Sequence, residues 1–324
     1  MRGKEHSLQT IIKEELLRQS IKTEHERAFL SAVIRGAGEI SLSLKGYGLS
    51  IVSESLDLIN KCILIIKNRY DIEATTTTKI QKNIGMREIS LYKMQIPSEL
   101  AQMVLEDMLI VSGYNFVKGI PSSFLPDTES KKAYLKGIYL SCGYVSAPKD
   151  KTAKDFDGKK GYHMEFSLNS DLVVDDFTKL LSWLCGFEMK TVRRRKETPS
   201  LYIKSAQHIS DILAAMGASK GVMALQEIMA TRAMRNHLNR GNNFIIANID
   251  KSVMAADRQL KAIEKIDNVM GLKNLDKSLR EAAYLRINNP DATLTEIAMI
   301  MGSVSLKSRI NHRMRKIIEI ANKL

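Results

Sequence analysis

The densest chemistry in the chain lies in its last nineteen residues, LKSRINHRMRKIIEIANKL (306–324). Lys307, Ser308, Arg309, Asn311, His312, Arg313, Arg315 and Lys316 crowd the first half, while Leu306, Ile310, Met314, Ile317 and Ile318 recur at helical spacing. A helix of this pattern packs one face and turns a basic, amide-bearing face outward. Such a face suits the major groove of DNA, where Arg pairs with guanine and Asn with adenine edges. The first residues of a groove helix reach the bases, which assigns Ser305, Lys307, Ser308, Asn311 and His312 to base contacts. Arg309, Arg313, Arg315 and Lys316 fall to phosphates, each worth about one unit of salt slope. Thr295, on the preceding helix, joins the DNA-facing set. A solvated basic surface helix is the plain alternative for any charge run; the grouping of Arg with Asn, and the turn described next, favour the groove.

The elements that must position this helix are legible around it. Leu279–Ile287 is amphipathic and is stopped at NNPD, where Pro290 biases Asn289 away from helix. Thr293 with Glu296 three residues on forms a capping box for LTEIAMIM, which ends at Gly302. SVS then makes the turn, with Ser305 placed to cap the final helix. Helix, turn and helix thus occupy about 293–316.

Other basic groups offer further contacts. KTVRRRK (190–196) carries charge on both strand faces from Arg193 on, making Arg193, Arg194, Arg195, Lys196 and Lys204 a second candidate DNA surface. Edge strands also carry charge to prevent aggregation. In TRAMRNHLNRGNN, Arg232, Arg235 and Arg240 crowd a helix end and the following turn. They fit phosphate contacts, and equally, with their Asn neighbours, the anchoring of a long helix. Cys62, Cys142 and Cys185 lack any Cys/His ligand spacing, so neither a disulfide framework nor a zinc site is expected, and no cofactor or metal is implied. Trp183 and Cys185 sit in an apolar helix and are expected in the core. The Lys- and Asp-rich stretch 147–161 reads as a solvated hairpin loop.

The chain has 324 residues, more than one core usually organises. Lys and Arg outnumber Asp and Glu by 49 to 36, a surplus that favours a polyanionic partner. Residues 219–324 hold 18 basic and 10 acidic residues, net +8; residues 1–218 hold 31 and 26, net +5. The basic third is therefore the expected DNA-binding part. The N-terminus is amphipathic and acid-containing, and no apolar run approaches membrane-spanning length. The expectation is a soluble cytoplasmic chain, with nucleoid association following from DNA binding.

The first two thirds repeat. ERAFLSAVIRGAGEIS (26–41) returns as KKAYLKGIYLSCGYVS (131–146) at an offset of 105, GYGLSIVSES (46–55) as GYHMEFSLNS (161–170), and SLYKMQIPSELAQMVL (90–105) as SLYIKSAQHISDILAA (200–215). Each copy reads helix, two strands, helix, two strands, helix. Gly38 and Gly143 suit helix stops. Ala28, Ala32 and Gly36 lie four apart, as do Ala133, Gly137 and Ser141, so two small-residue stripes should pack together about a pseudo-twofold axis.

LSAVIRGAG (30–38) and LKGIYLSCG (135–143) resemble the LAGLIDADG motif of homing endonucleases, and the αββαββα unit resembles that family's half-domain. In that family the acid before the last glycine binds a divalent metal, and DNA lies across the sheets. The resemblance places Ala37 and Cys142 at the acid positions, which removes the hard oxygen ligands that two-metal cleavage needs. Glu39, a conceivable substitute, is matched by Tyr144. The order of parts resembles, more narrowly, the WhiA family of bacterial regulators: a degenerate LAGLIDADG domain, a connecting segment like RAMRNHLNRGNNFIIANIDKSVMAADRQL (232–260), and a helix-turn-helix like 279–321. That likeness implies DNA binding linked to sporulation gene control, cell division and chromosome segregation.

The expected architecture is α+β: an N-terminal helix (1–23), two LAGLIDADG-like repeats (24–113 and 129–218) joined by a linker (114–128), and an all-α helix-turn-helix domain (219–324). The expected function is that of a non-catalytic, sequence-directed transcription regulator of double-stranded DNA, acting as a single chain. A metal-dependent endonuclease and a protein-interaction adaptor for a sigma factor or division protein are the alternatives.

Overall fold

The structure, a computed structural model, describes residues 7–44, 46–82, 88–148, 161–192 and 199–324. Two compact units divide the chain, 1–231 and 232–324. In the first, α1 (Leu8–Arg18) precedes a first repeat of α2 (Glu26–Ala37), β1 (Gly38–Ser43), β2 (Gly46–Ser53), α3 (Leu56–Tyr70), β3 (Thr75–Lys82), β4 (Glu88–Ile96) and α4 (Ser98–Asp107). A small hairpin, β5 (Val111–Ser112) with β6 (Asn115–Phe116), leads to a second repeat. This comprises α5 (Thr128–Cys142), β7 (Gly143–Ser146), β8 (His163–Ser167), α6 (Asp171–Cys185), β9 (Lys190–Val192), β10 (Ser200–Ile203) and α7 (Ala206–Ala215). The two antiparallel sheets have the same order, β1-β2-β4-β3 and β7-β8-β10-β9. The chain is α+β, with one unit written twice.

The small-residue stripes meet as their spacing predicts. α2 packs on α5, and a Cβ at Gly137 would stand 2.5 Å from the Phe29 carbonyl oxygen and 2.6 Å from the Ala32 Cβ. A Cβ at Gly36 would collide with the Ser141 hydroxyl. Ala32 is fully buried in this contact. Ala32→Leu should overpack it and cost about 1–3 kcal/mol, read as a lower melting temperature of the larger unit; unchanged melting would show that the helices can part.

Gly38 and Gly143 end their helices for a different reason from the one expected. Both have extended backbone (φ −82° and −84°), not the left-handed geometry of a glycine cap. A Cβ at Gly143 would lie 2.7 Å from the Tyr139 carbonyl oxygen, and one at Gly38 would strike that of Ile34. Close passage of the strand under its own helix, rather than a turn, requires glycine there.

α1 ties the halves of this unit together through polar side chains. The Gln9 amide accepts from the Val145 backbone N–H (2.9 Å) and the Tyr139 hydroxyl (2.9 Å) and donates to the Gly143 carbonyl (3.1 Å), satisfying the edge of β7. Glu15 accepts from the backbone N–H groups of Lys220 (2.9 Å) and Gly221 (3.0 Å), at the start of α8 (Ser219–Met270). A carboxylate there offsets the unpaired donors and positive dipole end of a helix.

α8 runs for 52 residues without a break. Arg232, Arg235 and Arg240 therefore lie in mid-helix, and no turn follows them. α9 (Lys277–Asn288), α10 (Leu294–Ile300) and α11 (Lys307–Lys323) complete the second unit. Its core joins Ile263 and Ile266 of α8 to Leu279, Ala282 and Ala283 of α9, Ile297 and Ala298 of α10, and the α11 stripe. No helix among the described residues is long and apolar enough to cross a membrane.

Candidate nucleic-acid interface

α11 is held by one face. Ile310, Met314, Ile317 and Ala321 are buried, all on one stripe. Lys307, Ser308, Arg309, His312, Arg315 and Lys316 are exposed along the remainder of the helix. Asn311 and Arg313 are half-buried, and Nη1 of Arg313 is enclosed without a hydrogen-bond partner. Arg313 thus packs along the helix flank, and its assignment to a phosphate suits it less well than that of Arg315 or Lys316. Thr295 is half-buried on α10.

The turn before α11 is built by local hydrogen bonds. Thr293 and Glu296 form the predicted capping box: the Glu296 N–H donates to Thr293 Oγ1 (3.2 Å) and the Thr293 N–H to Glu296 Oε2 (2.6 Å). The latter bond holds the Glu296 carboxyl below its usual range. Gly302 takes φ +106°, which side-chain-bearing residues rarely adopt. The cap that follows is Ser303 and not Ser305. Its Oγ accepts from the Ser305 N–H (3.2 Å) to start a single turn, Val304–Leu306, that runs into α11. Ser305 is exposed, with its hydroxyl 2.8 Å from that of Ser303.

Arg286 ties α9 to α8 and to the turn between α9 and α10, and was not singled out by its sequence context. It is 1% exposed, and its Nε donates to Gln259 Oε1 (2.9 Å) on α8. Nη1 donates to the carbonyls of Ala292 (2.6 Å) and Asn289 (3.2 Å). The signal available was an arginine in the last turn of a helix just before a proline-bearing turn, where unpaired carbonyls accumulate.

In the larger unit the motif ends differ from a cleavage centre. Ala37 presents a methyl group and Cys142 a thiol, which burial pushes up to about 12, and neither supplies the oxygen ligand that a hard divalent cation takes. Glu39 is held by Lys93 (2.8 Å) and accepts from the Ser50 hydroxyl (3.3 Å); the Lys93 bond sets its carboxyl below the usual range. These groups do not fit the pair of divalent metals that homing endonucleases use. Among the described residues, no group of three or more His, Cys, Asp or Glu is placed to hold a metal ion.

The open face of the second sheet carries a row of Tyr144, Glu165, Tyr202 and Lys190 in register across its strands. His163 stacks on Tyr202 (5.9 Å between centroids) and meets Glu165 (2.9 Å), while the exposed Lys204 ammonium lies 5.7 Å from the Tyr202 ring centroid. Arg193, Arg194, Arg195 and Lys196 lie outside the described residues, as does most of the 147–161 loop. Trp183 is a correction: it is 58% exposed on α6, with the Lys131 ammonium 4.0 Å from its ring centroid, and Cys185 is half-buried beside it in sequence.

Comparison with known proteins accounts for this order of parts. The chain matches the models of the WhiA N-terminal LAGLIDADG-like domain over residues 23–111, the WhiA LAGLIDADG-like domain over 131–235 and the WhiA C-terminal HTH domain over 238–321. A protein of Clostridium tetani named "Probable cell division protein WhiA" is 32% identical over 325 residues, spanning 98% of each chain. The chain belongs to the WhiA family. A relative of the same name from Brevibacillus brevis is 33% identical over 300 residues, covering 92% of this chain and 91% of its own. The crystal structure of full-length WhiA from Thermatoga maritima has the same fold, with a TM-score of 0.55 at 23% identity over 99% of both chains. α9, α10 and most of α11 lie within the match to the WhiA C-terminal HTH domain, and α2 and α5 lie largely within the two LAGLIDADG-like matches.

Proposed function

We propose that this WhiA protein is a non-catalytic, sequence-directed DNA-binding regulator of transcription linked to cell division, with α11 as its reading helix. The observation that carries the reading is the exposed row Ser308, Arg309, His312, Arg315 and Lys316, set opposite a fully buried stripe and led in by a capping box and a hydroxyl-built turn. A helix held in this way keeps its polar side chains at fixed spacing, which base readout needs. Ser305, Lys307, Ser308, Asn311 and His312 are assigned to bases; Arg309, Arg315 and Lys316 to phosphates. Control of sporulation or chromosome segregation, nucleoid association, and a sigma factor or division protein as partner belong to the same reading.

Lys204, with the Tyr202 and His163 rings beside it, supports a second, weaker contact along the open face of the second sheet. The neighbouring arginines 193–195 and Lys196 would extend it. Arg232, Arg235 and Arg240 of α8 are a third basic group assigned to phosphates.

Selection of bound duplexes from a random pool by the full chain should enrich one motif. Failure to enrich any sequence, with binding that is uniformly weak, would refute the reading. Incubation of the enriched duplex with Mg²⁺ or Mn²⁺ should leave it uncut, because Ala37 and Cys142 supply no oxygen ligand. Cleavage abolished by Glu39→Ala would restore the nuclease.

A further inference from the structure

The polar row of α11 is headed by an apolar residue. Val304 is 48% exposed in the single turn, Val304–Leu306, that runs into the helix. Leu306 packs against the core of the C-terminal unit. Two residues span about 200° of an α-helix and about 240° of a 3₁₀ turn, so Val304 points away from that core. Ser308, two residues beyond Leu306, is turned outward by the same amount, which sets both side chains on the exposed side. The turn holds Val304 in place. Ser303 Oγ accepts from the Ser305 N–H (3.2 Å) and lies 2.8 Å from the Ser305 hydroxyl, so hydrogen-bonded hydroxyls flank the valine in sequence, and its branched Cβ restricts rotation about χ1. Met299 and Ile300 are also exposed, but they end α10, and the first helix of a helix-turn-helix crosses the DNA backbone instead of entering the groove.

We infer that Val304 reads the 5-methyl group of a thymine in the major groove. The inference rests on α11 being the reading helix. Among the groups that the base pairs present in that groove, the thymine methyl is the apolar one; the others are hydrogen-bond donors and acceptors. An isopropyl group can neither donate nor accept. Pressed against a guanine O6 or a cytosine amino group it would strip water from a polar atom and return no hydrogen bond. Against a thymine methyl it covers apolar surface on both sides, and loss of one buried methyl group corresponds to about a 4-fold loss of affinity. Location agrees with chemistry. The N-terminal residues of a reading helix are those that reach base edges, and Val304 is the first residue after the Ser303 cap. Because Ser308 follows along the same side, the thymine should lie next to the base pair whose discrimination Ser308 sets.

The test uses the full chain and the duplex that it enriches, with thymines replaced one at a time by deoxyuridine, which lacks only the methyl group. Affinity should fall about 4-fold at one thymine and hold at the others. Val304→Ser should bind the thymine and uracil duplexes alike with an unchanged salt slope, and Val304→Ile should keep the preference. The side chain is exposed, so both variants should melt as the parent does. Equal affinity for thymine and uracil at every position would overturn the inference, and α11 would remain the reader if Ser308→Ala and His312→Ala still flatten base discrimination. Should those two variants discriminate as the parent does, α11 is not the reader and the assignment of Val304 falls with it. A thymine preference that survives Val304→Ser would give the methyl to another side chain and overturn the inference as well. So would a loss of affinity in Val304→Ser that leaves the preference for thymine over uracil intact, which would mark Val304 as a support of the turn.

Discussion

Replacing Arg286 with alanine should unfold the C-terminal unit well below the temperature at which the larger unit melts. The guanidinium is 1% exposed, and its acceptors are the neutral Gln259 amide oxygen and the carbonyls of Asn289, Pro290 and Ala292. Burial, the one cause acting on it, favours loss of its charge, yet guanidinium stays protonated in proteins. It therefore depends on these hydrogen bonds to offset desolvation. Alanine would strand the buried Gln259 oxygen, at about 1–3 kcal/mol, and would remove the hydrogen bonds to three part-buried carbonyls as well. A loss of about 3 kcal/mol is roughly 12–24 °C for a unit of this size, at about 4–8 °C per kcal/mol. Lysine keeps the charge but lacks the planar fork that reaches α8 and the turn together; it should recover only part of the loss. Calorimetry should show the lower transition moving while that of the 1–231 unit stays in place. A shift under about 4 °C would mean that water replaces the fork.

Arg286 also shows where the sequence is silent. Its donors reach Gln259, 27 residues earlier, and a backbone turn whose carbonyls carry no residue code. The Glu15 cap on α8 spans 205 residues and is equally invisible in the sequence. Small-residue stripes were legible because sterics act through residue size alone: Gly137 is glycine because Phe29 and Ala32 leave no room. At Gly38 and Gly143 the position was legible and the cause was not, since turn glycine and close-approach glycine look alike in a sequence. Trp183 was readable and misread. At about 100° per residue it stands about 120° around α6 from the buried Phe177, off the core line that Leu180 and Leu181 continue. Gly241 and its asparagines carry turn chemistry, yet α8 runs through them. The local cost of about 1 kcal/mol for Gly is too small to stop the helix by itself. The absence of the motif acids, by contrast, was fully legible, because a carboxylate is either present at 37 and 142 or it is not.

Alanine at Arg309, Arg315 and Lys316 together should weaken DNA binding by about 500-fold at 0.1 M salt. Each phosphate contact releases condensed counterions with a slope of about 0.9 in log affinity against log salt, or about 8-fold per contact at that concentration. The slope itself should fall by about 2.7 across the three, and loss of affinity should be uniform over DNA sequences, because phosphates carry no sequence information. All three side chains are exposed, so the melting temperature should hold. Arg313 is left in place because its enclosed Nη1 links it to the fold, and its loss would confuse binding with packing. Substituting Ser308 and His312 instead should flatten discrimination among duplexes at one or two base positions, at about 1–3 kcal/mol each, while the salt slope stays. Charge sets how tightly α11 grips and the groove residues set where; a triple variant with an unchanged slope would move the phosphate contacts off this helix, to Lys204 or to the arginines of α8.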